Sequence, residues 1–321
     1  MQTTSGGRFE ELDVLRGAAA LCVVLSHYAG HSMKFRGEAP FGDFAFSRVS
    51  RLYPTYWAAL TVMVVLEFVV FGKRVWLGGY VVNLTMLQEF LGWGNLDNVF
   101  WSLTVELAFY VIMGLLFAAG LLPRIEAVGA IWVALACLWS WVEQYLGIPL
   151  PAMLSQVLIL RYAPFFVAGI TFYRIARNGP TATRLALVLA ALAAAAMIDG
   201  LWTHEVPTVE WPAIVRRLGV AVVLFGTFTL AITGRLRFSI SPVTLWLGAI
   251  SYSLYLSHRN LGYSTLLELR DAGVPVWISV LVTLAGALAL AAALTYGVER
   301  PSLRALRQWY RTRRPAVGAR S

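Results

Sequence analysis

The sequence predicts an all-α fold, a polytopic transmembrane helix bundle of about nine spans. Three observations point to it. Of 321 residues, 59% are apolar and only 13% charged, a balance outside the range of soluble domains. Apolar runs of about 20 residues, the length that crosses ~30 Å of hydrocarbon, recur from Leu12 almost to Glu299. The arginines gather in short loops and in a tail, as the cytoplasmic side of a polytopic protein requires.

The runs place spans near residues 12–31, 53–72, 99–119, 128–147, 153–175, 182–199, 212–232, 242–262 and 275–297. They leave no stretch for a separate soluble domain, so residues 1–321 read as a single membrane domain with a basic cytoplasmic tail over 300–321. No cleavable signal peptide is expected, because Arg8, Glu10, Glu11 and Asp13 deny the first residues a positive excess. Arg174, Arg177 and Arg184 form one basic loop, Arg235 and Arg237 another, and Arg304, Arg307, Arg311, Arg313 and Arg314 the tail. These belong in the cytoplasm, and the loop 73–98 then lies outside, where its Trp and Tyr residues suit an interfacial or re-entrant helix. The segment from Ser32 to Ser47 is too polar for a span and is expected to fold back into the bundle, with the arm before Phe9 cytoplasmic.

The net charge of +9 follows from this loop bias, and no recognition motif points to nucleic acid. Cys22 and Cys137 lie within apolar runs with no Cys or His at zinc-ligand spacing. Both read as packing residues, and no metal is expected.

Charged residues inside spans face a bundle interior or a wet cavity, since mid-bilayer charge costs roughly 2.5–3.5 kcal/mol. Each is a site candidate. Arg16 and His27 are eleven residues apart, so they share one face of the first helix about 16 Å apart. They could grip the two ends of a long substrate, or Arg16 could snorkel while His27 bonds a carbonyl. Arg48 and Arg51, at i and i+3 before Tyr53-Pro54-Thr55-Tyr56-Trp57, share a face at a helix entrance. Two guanidinium forks suit a phosphate clamp, and an ordinary basic loop is the alternative. Glu106 is the one charge between Val99 and Leu121, and Ser102, Glu106 and Tyr110 make a polar stripe at i, i+4, i+8. A buried carboxylate must be protonated, paired or wet, so an Arg or His from another helix is its expected partner. His258 reads as an interfacial histidine, and Glu299-Arg300-Pro301 as the cap that closes the last span.

In this order the segments resemble the bacterial acyltransferase 3 family of integral membrane O-acyltransferases. Arg16 and His27 meet its first-helix pattern of Arg or Lys, ten residues, His. Arg48 and Arg51 meet its paired-arginine motif. Asn83-Leu84-Thr85-Met86-Leu87-Gln88, Trp101-Ser102-Leu103-Thr104-Val105-Glu106, Ser251-Tyr252-Ser253-Leu254-Tyr255-Leu256 and Glu299-Arg300-Pro301 also look like the family's. One departure stands out. The family's second helix, Phe-Phe-x-x-Ser-Gly-Phe after a Gly-x-Asp start, is missing beyond Gly42-Asp43-Phe44-Ala45-Phe46.

The resemblance implies ten helices in a bacterial inner membrane. It also implies transfer of an acyl group, commonly acetyl, from acyl-CoA as co-substrate to a hydroxyl of a cell-envelope carbohydrate or lipid-linked glycan, with no bound cofactor. His27 is then the general base or a transient acyl carrier, and Glu106 orients it. Arg48 and Arg51 hold coenzyme A phosphates, Arg16 steadies the donor, and Ser102 and Tyr110 line the site. The intramembrane charges also suit a glycan or small-molecule transporter, and the missing helix an inactive, truncated family member.

Overall fold

The computed structural model describes residues 41–148, 151–198, 211–235 and 241–313, and all regular structure among them is helical. The expected first span, with Arg16 and His27, lies outside the described residues. Among the described residues, four helices are long and apolar enough to cross a membrane: Gly42–Val69, Asn98–Ala118, Leu122–Glu143 and Val276–Arg313. Shorter apolar helices cover Ala182–Ile198 and Leu218–Ile232.

The chain divides into two units, one of residues 111–235 and one that joins 41–110 to 241–313. The second carries the site. Its helices are α1 (Phe41–Val69), α2 (Leu77–Asn83), α3 (Trp101–Ala118, which runs on into the other unit), α9 (Pro242–Ser257), α10 (Asn260–Asp271), α11 (Val276–Leu294) and α12 (Arg300–Arg313). The other unit holds α4 (Ile125–Tyr145), α5 (Ala152–Val157), α6 (Ala163–Asn178), α7 (Ala182–Ile198) and α8 (Trp211–Ile232).

In the 111–235 unit, Phe165, Phe172, Phe225 and Phe228 interlock with Ala168, Ala191, Ala195 and Ala221, small residues that let the helices approach. The predicted span 153–175 is broken here. Ile159 takes a left-handed φ of 45°, and the chain restarts at α6 with Pro164 in its first turn, where a missing N–H costs nothing. Trp132 Nε1 donates to the freed carbonyl of Leu158 at 2.8 Å. Two arginines of the basic loop are partly engaged. Glu126 Oε1 accepts from Arg184 Nε at 2.8 Å and Arg174 Nε at 3.2 Å, and Arg184 Nη1 donates to Gly179 O at 2.6 Å.

Three differences from the sequence expectation matter for the site. The helix expected to begin near Tyr53 begins at Phe41 and runs 29 residues. Residues 41–47, expected in a re-entrant return, are its first turns. Gly42-Asp43-Phe44-Ala45-Phe46 therefore continues without a break into the paired-arginine segment. Arg48 and Arg51 sit about 10 and 15 Å along this helix rather than at its entrance. At the other end of the chain, Glu299-Arg300-Pro301 does not cap the last span. A π turn, Thr295–Glu299, joins α11 to α12, with Arg300 N donating to Thr295 O five residues back. Pro301 cannot donate to the carbonyl four residues earlier, and the widened ladder beside it takes up that mismatch.

The third difference is a stop. The predicted span 242–262 ends at Ser257, where His258 Nδ1 lies 3.1 Å from Leu254 O and 3.0 Å from Tyr255 O. The chain starts again as α10 because Asp97 provides a cap. Its Oδ1 accepts from Val99 N and its Oδ2 from Asn260 N, both at 3.1 Å. One carboxylate, 1% exposed, thus receives the first turns of two helices. Burial pushes its pKa above the ordinary aspartate range, opposed by these two N–H donors and by Arg259 at 3.8 Å.

The outer segment 73–98 is held against this unit through its backbone. Four successive carbonyls accept side-chain donors: Asn83 O from Tyr56 at 2.6 Å, Leu84 O from Trp57 at 2.9 Å, Thr85 O from Tyr53 at 2.9 Å and Met86 O from Thr104 at 3.0 Å. Tyr53, Tyr56 and Trp57 form one face of α1, opposite the arginines. Met86 adopts φ of 59° while fully buried, a strain of order 1–3 kcal/mol that the surrounding bonds must hold. Asn83 completes the clamp, with Nδ2 donating to Gly79 O and Gly94 O and Oδ1 accepting from Leu96 N.

Asp97→Ala is expected to destabilise the protein by about 2 kcal/mol, two caps at ~1 kcal/mol each. Asp97→Asn, which keeps an acceptor oxygen, should lose less. Thermal unfolding of the purified protein in detergent checks the order.

Candidate functional site

Arg48 is 7% exposed, and its guanidinium lies between two rings, 5.4 Å from the Phe44 centroid and 5.0 Å from that of Tyr110. The arrangement follows from helix geometry. Phe44 precedes Arg48 by four residues on α1, while Tyr110 reaches in from α3, its ring edge-on to Phe44 at 6.3 Å. Cation–π contacts of this kind gain strength where water is excluded.

Tyr110 donates its hydroxyl to Glu106 Oε1, one turn back on α3. Glu106 is 6% exposed, and both Arg48 and Arg51 lie within electrostatic range of it. The arginines within electrostatic range of Glu106 are the paired ones of α1, while its hydrogen-bond partner is Tyr110 of its own helix. Arg51 also feels Glu299, the last residue of the π turn, and its Nε is buried with no hydrogen-bond partner among the described residues. The cluster thus sets two guanidiniums against two carboxylates. Balance of this kind suits ionisable groups packed between helices, two of them buried and two half-buried, because an uncompensated buried charge costs several kcal/mol.

A hydroxyl chain continues from Glu299. Thr295 Oγ1 donates to Ser253 Oγ at 2.7 Å, and Ser253 Oγ to Glu299 Oε2 at 3.4 Å. Tyr252, beside Ser253 on α9, donates to Leu52 O at 3.0 Å and ties α9 to the turn of α1 next to Arg51. Glu299 and Tyr252 were legible only as parts of family-like segments. The signal that could have found Glu299 is that it is a carboxylate closing an apolar run otherwise bare of acid. Its pairing with Arg51 depends on a helix contact that periodicity does not give.

Ser102, expected in the site, lies one turn before Glu106 and is tied to α9. Its hydroxyl and that of Tyr255 bond each other, and one of the two donates to Val99 O, which lies 3.1 Å from Ser102 Oγ and 2.9 Å from Tyr255 OH. Four residues separate Ser102 from Glu106, about 6 Å along the axis, so Ser102 joins α3 to α9 near the Asp97 cap. The structure brings together Arg48, Arg51, Glu106 and Tyr110, adds Tyr252, Ser253 and Glu299, and sets Ser102 aside. Arg16 and His27 lie outside the described residues. Chemically, the cluster offers a buried guanidinium with spare donor capacity, a phenol and two carboxylates.

The comparisons agree with this architecture. A family model described as an acyltransferase domain, that of acyltransferase 3, matches residues 29–296. The chain belongs to the acyltransferase 3 family and is a multi-pass membrane acyltransferase. No curated protein and no solved structure matches it.

Replacing Glu106 by Leu leaves buried Arg48 and half-buried Arg51 with Glu299 as the remaining carboxylate, and is expected to cost about 3–5 kcal/mol. The pair Glu106→Leu with Arg48→Leu should recover much of that loss. Detergent melting of the single and double variants reads both effects.

Proposed function

We propose that the protein transfers an acyl group, acetyl in the simplest case, from acyl-CoA to a hydroxyl of a cell-envelope carbohydrate or a related lipid-linked glycan, in a bacterial inner membrane. The observation that supports this reading is the cluster of buried Arg48 and Glu106 with half-buried Arg51 and Glu299, in a chain of acyltransferase family membership. Such a cluster suits a reaction that passes through transient negative charge, where preorganised donors stabilise an oxyanion better than water does.

In this reading His27 takes the proton of the acceptor hydroxyl as its oxygen attacks the thioester carbonyl, or carries the acyl group transiently. Glu106 and Tyr110 maintain the polar wall of the site, and Glu106 orients His27. Arg51 offers its fork to the anionic donor. Arg48, enclosed by Phe44 and Tyr110, holds Glu106 in place behind it. Arg16 steadies the donor from the first helix, and collapse of the tetrahedral intermediate expels the coenzyme A thiolate. No bound cofactor is called for; acyl-CoA is a substrate.

Purified protein given acetyl-CoA and a glycan acceptor should release free thiol. His27→Ala should lower kcat by about 10²–10⁴, the usual contribution of a general base. Thiol release by His27→Ala at the parent rate would remove the catalytic assignment, and no release by the parent with any acyl-CoA would remove the reaction.

A further inference from the structure

The arginines of α12 form a track that the cluster above does not use. Arg300, Arg304, Arg307 and Arg311 follow at i, i+4, i+7 and i+11, which confines them to a stripe about 60° wide. Arg300, Arg304 and Arg311 are exposed, and Arg307 is half-buried. The apolar side of the helix is turned elsewhere. Leu303, Leu306 and Tyr310 are half-buried; Tyr310 stacks on Phe46 at 4.1 Å and donates to Asp43 Oδ1. The start of α1 thus fixes α12 by one face and leaves the arginine face open. Residues 300–321 contain seven arginines and no acidic residue.

Membrane topology alone does not account for this stripe. The helix Val276–Arg313 is continuous over 38 residues, about 57 Å, against ~30 Å of hydrocarbon. If α11 fills the hydrocarbon, Arg307 and Arg311 stand about 12 and 18 Å beyond Glu299. That exceeds the headgroup layer of roughly 5–8 Å on each side. A 20° tilt shortens the rise by only about 6%. The outer rungs therefore face water, and the stripe descends from there to Arg300, next to Glu299 of the cluster.

We infer that this stripe is a second binding element for the acyl donor, a track of guanidiniums that captures the phosphates of its nucleotide end, adenosine 3′,5′-bisphosphate, and guides the molecule toward Arg51. The inference rests on the acyl-CoA reading above and adds to it a separate site for the anionic end. Arg48 and Arg51 lie beside Glu106 and Glu299, whereas Arg304 and Arg311 meet solvent, with half-buried Arg307 between them and Arg300 over the Tyr296 ring at 4.4 Å, and can present planar forks to successive phosphates. A single-sign stripe beside a binding site raises local substrate concentration and on-rate, by 10- to 10³-fold in known cases, and does so less as salt rises.

The test compares the full-length parent with Arg304→Gln/Arg307→Gln/Arg311→Gln in neutral detergent. At low ionic strength the KM for acetyl-CoA should rise about tenfold, with kcat at saturation retained. Parent and variant should converge toward 1 M salt, where the Debye length is ~3 Å. With acetyl-pantetheine, which lacks the nucleotide, the two should have the same KM. Adenosine 3′,5′-bisphosphate should raise the melting temperature of the parent and not that of the variant, and the three Arg→Lys changes should restore part of the shift. An unchanged KM for acetyl-CoA, or an equal loss with acetyl-pantetheine, would overturn the inference. A defect seen only in vesicles containing phosphatidylglycerol, and not in neutral detergent, would make the stripe a lipid contact and overturn it as well. A parent that releases no thiol but still shows the nucleotide shift, lost in the variant, would retain the track and dismiss the acyl-transfer reading.

Discussion

Charge balance inside the bundle is the constraint on which the site unit depends. Arg48 and Arg51 sit about 10 and 15 Å along α1, too deep for both to be left to bulk water, so the surrounding helices must answer them. Glu106 does so from α3 and Glu299 from the π turn. Tyr110 serves both signs, its ring facing Arg48 and its hydroxyl bonding Glu106. Removing any one charge leaves its partner buried and uncompensated, which makes the cluster a device for fixing how α1, α3 and the α11–α12 helix meet as much as a reactive centre. The same residues can serve both purposes because a site that must stabilise transient charge needs donors that are already held.

α1 carries two sets of instructions on opposite faces. One face presents Arg48 and Arg51. The other presents Tyr53, Tyr56 and Trp57, whose polar tips seize three consecutive carbonyls of the outer segment, with Thr104 of α3 taking the fourth. This gives a physical meaning to the order of motifs along the chain. The aromatic group after the paired arginines and the Asn83–Leu87 stretch are two halves of one clamp, and Thr104 ties that clamp to the helix that bears Glu106. Irregular backbone packed against protein must have its polar groups satisfied, and here four side chains satisfy successive carbonyls one by one. The left-handed Met86 is the conformational strain that this anchoring sustains.

The helical class and the apolar helices were legible in the sequence, because each follows from burial cost or helical period. The i, i+4 spacing of Glu106 and Tyr110 was enough to expect a shared stripe, and the two are bonded. What failed had a common cause. Ser102 lies on the same stripe, but Tyr255 of α9 captures it, and sequence spacing carries no information about which neighbouring helix arrives at that height. Asp97 caps two helices, a role that sequence spacing does not reveal because only one of the two N-termini lies beside it in the chain. The start of α1 was misjudged for a simpler reason. Asp43 belongs to the segment Ser32 to Ser47 that reads as too polar for a span, and its partner, Tyr310, is distant in the chain.

The π turn settles how a span can end in a working residue and still continue as a helix. A regular α-helix would advance each side chain by 100°. The wider turn Thr295–Glu299 shifts the register between α11 and α12, so the two segments need not share a face. α11 can follow the packing of α9 and α10 while α12 lays Tyr310 on Phe46. Glu299 stands at the point where the two registers join, which lets it meet Ser253 and Thr295 on one side and Arg51 on the other. Pro301 belongs to the same solution, because a residue with no N–H is least costly where the hydrogen-bond ladder has already been reset. The Glu-Arg-Pro sequence is thus a register change placed at the site rather than a terminus, and it couples the position of the buried carboxylate to the orientation of the arginine-bearing helix beyond it.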